Sequence, residues 1–315
     1  MLTMIARRLL VLIPLLLVVS FAIFGLVVLV PGDAAITLAG GPDATPERIE
    51  QVRQELGLDD PFLVQYGRWL KGAVQFDFGN SLQSSAPVTE EIRDRLPVTL
   101  SVVGAALFVA MLIAIPAGIM AGLRPGGILD RLALIGSSIG ISVPGFWMAM
   151  ILITVFAIQR SWFPAIGYVP FGEDPVEWAK HLVLPGLALG ALASASQTRQ
   201  LRGALLDVLD SNYIRTGWAK GGAPRWVIGK HALKNAAIPA VTVLGLQTGA
   251  LLGSGVIIEQ IFSIPGLGTY LVRAIQSQDL PVIQGVTVLF VLMNVTINLL
   301  VDITYGYLNP KVRVS

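Results

Sequence analysis

Cysteine is absent from the 315 residues. That excludes disulfides, thiolate metal sites and thiol catalysis. Histidine is nearly absent: His181 and His231 stand apart, with no partner at ligand spacing. Charge is scarce, at 13% against 54% hydrophobic residues, and mean hydropathy is +0.72. A chain this apolar lies outside the soluble globular class. What it has instead is long uncharged runs: Leu9–Val30, Leu96–Leu123, Leu132–Gln159, His181–Thr198, Asn235–Ile258 and Leu280–Val301. About 20 apolar residues cross roughly 30 Å of hydrocarbon. The runs therefore read as six membrane-spanning helices, the fourth being the shortest. The first is longer than the usual ~7–15-residue core of a signal peptide. No small-x-small cleavage pattern closes it, so it is expected to be a retained span.

Catalytic and nucleotide-binding signatures are missing as well. The nearest approach to a P-loop ends in Gly229-Lys230, but the earlier glycine position holds Pro224 and the next residue is His231. ATP is not expected to bind by that device. There is no H-E-x-x-H. No catalytic, cofactor-binding or metal-ligating residue is predicted in this chain. Carboxylates are absent from the middle of the runs; Glu259 and Asp302 lie at the ends. A proton-coupled carrier needs ionisable groups inside the membrane, so a proton relay is disfavoured, whereas sodium coupling through carbonyls stays open. Gln247, Gln284, Asn294 and Asn298 are the polar side chains placed to line a pathway. Hydrogen bonding between helices is the competing role for each.

The distribution of Lys and Arg sets the expected topology. With the N-terminus in the cytoplasm, the cytoplasmic segments hold 13 cations against Asp130, Asp207 and Asp210. The opposite side holds 9 cations and 16 acids, with Asp302 left out of the count. Six spans with both ends inside is the prediction. The polar stretch 31–97 is then an extracytoplasmic insert between the first two spans. It carries helix signals: Thr45-Pro46 as N-cap and first helical residue with Gly57 as terminator, Asp60-Pro61 repeating the device, and Thr89-Glu90-Glu91 starting a third helix. Phe62, Tyr66, Trp69 and Leu70 fall near one face of the second, which is expected to lie partly on the membrane surface. The stretch 159–180 carries boundary aromatics, and 260–281 is too short to span and reads as re-entrant or interfacial.

Inside the spans, Gly118/Gly122, Gly136/Gly140, Gly186/Gly190 and Gly245/Gly249/Gly253 place small residues one turn apart. Such faces let helix backbones approach closely. Pro116, Pro144, Pro185 and Pro239 are expected to kink helices or free carbonyls.

The residue pattern converges on the stretch Arg199–Lys234, which carries seven Lys/Arg against Asp207 and Asp210. Its middle, 212–221, suits a short helix closed by Gly221-Gly222, with Tyr213, Ile214 and Trp218 as an apolar patch. Composition fits a basic loop on anionic lipid or a helix inserted into a soluble partner's groove.

The sequences Tyr213-Ile-Arg-Thr-Gly-Trp-Ala-Lys-Gly221 and Lys230-His-Ala-Leu-Lys-Asn-Ala-Ala-Ile-Pro-Ala-Val-Thr242 resemble the EAA loop of binding-protein-dependent ABC importer permeases, most closely the dipeptide/oligopeptide/nickel group. Gly217 and Trp218 stand where that group usually has Ala and Arg, and Gly222 where Leu is common. The resemblance extends through 6–33, 76–100, Phe262–Gly268, Asp279–Gly285 and the ending from Asp302 through Tyr305 and Leu308 to Arg313. It is to the B-type subunit and covers nearly the whole chain.

The resemblance implies an all-α membrane protein with the type I ABC importer permease fold: a tail and first helix at 1–30, the helical insert at 31–97, a five-helix core at 98–308 with the cytoplasmic coupling loop 199–236, and a tail at 309–315. It implies a pore subunit that is not an enzyme and itself needs no cofactor, ATP and Mg being used by the partner ATPases. Its expected partners are a second homologous permease, one or two cytoplasmic ATPases, an extracytoplasmic binding protein and membrane lipid, with no nucleic acid. The place is a bacterial or archaeal plasma membrane and the cargo a di- or oligopeptide. Tyr213, Ile214, Arg215, Ala219, Lys220 and Gly221 are the expected ATPase-coupling residues: charge from Arg215 and Lys220, apolar contact from Ile214 and Ala219, the turn from Gly221. An ion-coupled secondary transporter and a membrane sensor or scaffold with a basic loop are the alternatives.

Overall fold

A computed structural model describes residues 2–28, 35–36 and 44–308. Regular structure among them is helical, apart from one isolated antiparallel bridge between Asn80 and Pro87. The start of the insert and the tail residues 309–315 lie outside the described residues or nearly so, and with them the end of the C-terminal match. The chain forms two compact units. One comprises the described residues of Met1–Arg8, Val98–Pro265 and Asn294–Ser315, the other those of Leu9–Pro97 and Gly266–Met293.

Helix α1 covers Leu2–Val28, α2 Pro46–Leu56, α3 Phe62–Val74 and α4 Val88–Leu123. Thr45 caps α2 as expected, its hydroxyl accepting from the Arg48 N–H. Gly57 ends it at φ +60°, with Leu58 N–H bonded to Arg53 O and Gly57 N–H to Gln54 O. That paired closure is what a left-handed terminal glycine allows. The second predicted cap shifts by one residue. Pro61 occupies the N-cap of α3, and the Asp60 carboxylate is drawn off to the Arg68 guanidinium. The third helix starts at Val88 rather than Thr89 and continues without a break to Leu123.

The aromatic stripe of α3 meets α1. Phe21 stands edge-on to Tyr66 at 5.2 Å, and Phe24 approaches Phe62 at 5.4 Å and Trp69 at 5.8 Å. Tyr66 Oη lies 2.9 Å from Ser20 Oγ. In the same unit Ser81 Oγ donates to Asp279 Oδ2 at 2.6 Å, ahead of α11, Leu280–Leu308. Helix α10, Leu267–Gln276, occupies the stretch read as re-entrant or interfacial, with Leu267, Thr269 and Ala274 buried.

In the other unit α5, Ile128–Ser142, breaks before α6, Gly145–Leu152, which continues as a π-helical turn over Ile153–Gln159. The two halves are bent by 101°. Pro144 is the cause: it pushes the preceding Val143 into extended geometry, at φ −87° and ψ 124°. Pro185 and Pro239, in contrast, sit inside the continuous helices α7, Pro175–Leu209, and α9, Lys234–Ile261. Between those two comes α8, Asn212–Ala219, then a helical turn at Pro224–Trp226 and a π-helical segment Val227–Leu233 leading into α9.

Three helical stretches among the described residues are long and apolar enough to cross a membrane: Val88–Leu123, Pro224–Ile261 and Leu280–Val301. The bent pair makes a fourth if it counts as one span. The fourth run of the sequence lies within α7, whose buried residues include Gly186, Gly190, Ser194, Gln197 and Thr198. Protein rather than lipid surrounds much of this helix, so its small and polar residues carry little desolvation cost.

The glycine pairs act at helix contacts. A Cβ on Gly118 or Gly122 would press on Leu201 at 3.0 Å or Leu205 at 2.9 Å. One on Gly190 would meet Ala106 O at 2.5 Å, and one on Gly140 the Ala195 methyl at 2.9 Å. Gly136 and Gly253 face open space, so their part of the pattern does no packing among the described residues.

Candidate functional site

The basic stretch is less of a loop than its charge implied. Helix α7 runs on to Leu209, so Arg199 and Arg202 are helical residues. Both have partners: Arg199 donates to Ser138 Oγ at 3.1 Å, and Arg202 grips Asp130 with two bonds of 2.5 and 2.8 Å. Asp130 also accepts from the Gly126 N–H at 2.8 Å. It precedes the uncharged run beginning at Leu132. The Arg202 guanidinium, helped by that N–H, holds its carboxyl down at about 2. Such charge-assisted, two-pronged pairing fixes the start of α5 against the end of α7.

Helix α8 closes with the same two-bond turn as α2. Gly222 N–H bonds Gly217 O at 3.1 Å and Gly221 N–H bonds Trp218 O at 2.9 Å, with Gly221 at φ +75°. Of the six residues assigned to coupling, five lie on the exposed part of this element: Tyr213, Arg215, Ala219, Lys220 and Gly221. Arg215 forms an exposed pair with Asp210 at 2.6 Å.

Ile214 departs from its expected place. It is 1% exposed and packs with Leu201, Leu205, Val227, Ala236 and others in the chain's own core. The reason is the width of the apolar patch: a single-turn patch on a short helix has one residue pointing to the support beneath it. Ile214 anchors α8, while Tyr213 and Trp218 face outward, 47% and 41% exposed.

Sequence reasoning missed Trp226 and its setting. Trp226 is exposed, stands edge-on to His231 at 4.3 Å and has Lys230 Nζ 5.8 Å from its ring centre. The signal was present as an aromatic two residues after Pro224, but the π-helical turn that brings Lys230 and His231 beside it has no simple sequence mark.

Of the four polar pathway candidates, Gln247, Asn294 and Asn298 belong to one unit and Gln284 to the other. Gln247 Nε2 donates to Ala193 O at 3.1 Å, and its Oε1 is buried without a partner. It lines a cavity of 270 Å³ with Phe146, Leu192, Ser254 and Ile257. Gln284 lies in the other unit, buried beside a separate cavity. Asn298 donates to Asn294 Oδ1 at 3.3 Å, and the Asn294 amide fills the space left by the missing side chain of Gly249. The Asn298–Asn294 bond runs along α11 itself, whereas the Asn294 amide packs against α9 at Gly249. Gln197, which the sequence did not single out, is buried and donates to Ala240 O at 2.7 Å. Glu259 is buried at the end of α9 and accepts from Thr99 Oγ1 at 2.7 Å.

Among the described residues no group of three or more His, Asp or Glu could hold a metal ion. The run Gly136-Ser-Ser-Ile-Gly140 does match the spacing of a nucleophile elbow. Ser138, however, sits in mid-helix and bonds back to Leu134 O at 2.9 Å, without the strand–turn–helix setting that chemistry needs.

The sequence profile of the binding-protein-dependent transport system inner membrane component matches residues 114–314, and the N-terminal profile of the same transport system membrane component matches 1–103. The chain is 42% identical over 313 residues to the glutathione transport system permease protein GsiC of Escherichia coli (strain K12), covering 99% of each. It is 41% identical over 317 residues, again 99% of each, to a permease protein of Brucella abortus (strain 2308) named for a peptide transport system. Its fold resembles a chain of the inward-facing MetNI methionine ABC transporter, with a TM-score of 0.56 at 19% identity, covering 70% of this chain and 96% of that one. A chain of an amino acid ABC transporter crystallised with histidines gives a TM-score of 0.54 at 12% identity, covering 70% and 94%.

Proposed function

The chain belongs to the binding-protein-dependent transport system inner membrane components, and from that premise we propose that it forms half of the translocation path of an ATP-driven importer for small peptides. As a member it is a multi-pass inner membrane permease of an ABC transporter, not itself catalytic. Permeases of this kind work with ATPases and a binding protein. The peptide cargo is supported by two relatives of full length, one named for glutathione and one for peptides. Our reading of the membrane arrangement is six spans with both ends in the cytoplasm, α5 and α6 forming one broken span. The partner permease is a second, homologous chain.

The observation that carries the coupling role is α8 itself: a short helix pinned from below by Ile214, closed by Gly221 and offering Tyr213, Arg215, Trp218, Ala219 and Lys220 outward. A helix held on one side and open on the other transmits a partner's motion to the helices beneath it. Here those are α7 and α9, which share its core cluster.

Gly221→Trp tests this in the assembled complex in liposomes. No heavy atom lies within 4 Å of a Cβ at this site, so the residue acts through its left-handed backbone and the surface it adds, not through the core. The expected result is a drop in uptake per ATP hydrolysed of about 5- to 150-fold, the range of ordinary coupling energies, with the complex still assembled. Uptake and substrate-stimulated hydrolysis both at wild-type levels would remove α8 as the contact.

A further inference from the structure

Asp130 stands where three pieces of the chain meet. Arg202 of α7 donates to it from two nitrogens, at 2.5 and 2.8 Å. The Gly126 N–H, in the turn between α4 and α5, adds a bond at 2.8 Å. The same side of α7 meets α5 twice more. Arg199 donates to Ser138 Oγ at 3.1 Å, and Gly140 backs onto the Ala195 methyl. Ala195, Arg199 and Arg202 recur at helical spacing, so they form one stripe. The two helices are thereby held in register from Asp130 to Gly140.

Burial decides how firmly. The Asp130 side chain is 3% exposed and that of Arg202 22%. Pulling one partner from a buried ion pair strands a charge away from water, which costs far more than losing an exposed pair. The Arg215–Asp210 pair beside α8, at 65% and 82%, opens readily by comparison. Asp130–Arg202 resists separation, so α5 follows the end of α7.

Each end of this link leads somewhere. Leu201 and Leu205, on α7 beside Arg202, share a core cluster with Ile214 of α8. The far end of α5 is the break at Pro144. Proline has no N–H to bond backwards, and the ladder restarts from its own carbonyl, which accepts from the Trp147 and Met148 N–H groups at 3.1 Å. A break between two packed segments is a place where their angle can change. Just past it, Gly145 and Phe146 begin α6, and both line the 270 Å³ cavity with Gln247.

We propose that Asp130 and Arg202 are positioning residues that carry the motion of α8 to the bend at Pro144, and so set the place of the Gly145–Phe146 wall of that cavity. The proposal rests on the importer reading above, because ATPases supply the motion. Helix α5 is the lever: gripped at its start by α7 and hinged at its end.

The test uses the assembled complex in liposomes. Asp130→Asn keeps an acceptor for the Gly126 N–H and removes the charge that holds Arg202. Uptake per ATP hydrolysed should fall by about 5- to 150-fold, the range of ordinary coupling energies, while hydrolysis continues. The second readout is at the cavity wall. The chain has no cysteine, so Phe146→Cys supplies its one thiol, and maleimide labelling is followed by the mass of this chain. With Asp130 in place, ATP should change the labelling rate by at least about fivefold, the lower end of that range. With Asp130→Asn the rate should be the same with and without ATP. A pair that only held the fold would lower the melting temperature and shift both rates together, leaving their ratio intact. Arg202→Lys, which keeps the charge but not the two-pronged grip, is the milder variant and should lose part of the coupling with assembly preserved. Wild-type coupling in Asp130→Asn, an ATP-dependent labelling change that survives it, or failure of both variants to assemble each overturns the link. Uptake separates the two readings. Import by the wild type, with Asp130→Asn still fully coupled, removes the link alone. An ATP-dependent labelling change that requires Asp130, without import of peptide, keeps the link and removes the importer.

Discussion

Gly217 and Gly222 lie on either side of one turn, and Val227 receives them differently. A Cβ on Gly217 would rest 3.7 Å from both Val227 methyls, an ordinary contact. A Cβ on Gly222 would meet the Gly217 carbonyl oxygen and a Val227 methyl, both at 2.8 Å. The alanine common at position 217 in the resembling group therefore fits this chain, whereas the leucine common at 222 requires the turn to move. Gly217→Ala should raise stability by about 0.5–1 kcal/mol, the gain expected for replacing glycine within a helix, with uptake preserved. Gly222→Leu should cost about 1–3 kcal/mol through overpacking and lower uptake together with it. Thermal unfolding of the detergent-solubilised chain, run beside transport by the assembled complex, reads both. Equal effects from the two substitutions would show that Val227 does not set this turn.

At the scale of elements, the contact of α9 with α11 depends on two missing side chains. A Cβ on Gly245 would strike Val301, and one on Gly249 would strike the Asn294 amide. Close approach of this kind drives association where lipid is as apolar as leucine. Gly245→Ala should therefore destabilise by about 1–3 kcal/mol, and adding Val301→Ala should recover part of the loss. A double-mutant cycle on melting temperature measures the recovery, and strict additivity would mean that the two residues do not touch. The glycine ladder was legible in the sequence because its spacing is local. So were the caps at Thr45 and Gly57 and the break at Pro144, each set by the φ, ψ or missing N–H of one residue. The inward turn of Ile214, the Asp130–Arg202 pair and the burial of Gln197 were not. Apolarity tells that a side chain avoids water, not whether its neighbour is lipid, another helix or a partner. Pairing across 72 residues of sequence, as in Asp130 with Arg202, has no local mark at all. Nor did spacing reveal that Gln247 bonds Ala193 O while the Asn pair bonds along its own helix, since polar residues in apolar runs look alike until the helices are arranged.

For the whole molecule, topology is the property on which the coupling role and the delivery of cargo both depend. They need opposite sides of the membrane: α8 must face the ATPases and the insert must face the incoming cargo. The charge count argues for that arrangement, with 13 cations against 3 acids on the side of α8. It is an argument from totals, and labelling can decide it residue by residue. The absence of cysteine makes the chain its own blank, so any thiol introduced is the one that reacts. Ser84 and Ala219 are both exposed, the first in the insert and the second on α8. A membrane-impermeant maleimide added to intact cells, with any outer membrane permeabilised, should label Ser84→Cys and leave Ala219→Cys unreacted. Lysis should expose Ala219→Cys, and assembly with the ATPases should protect it again, because that residue lies in the proposed contact. Labelling of Ala219→Cys in intact cells would invert the topology and remove the coupling role with it. Labelling only after lysis, but with no protection on assembly, would keep the topology and move the ATPase contact away from α8, with exposed Trp226 as the next surface to test.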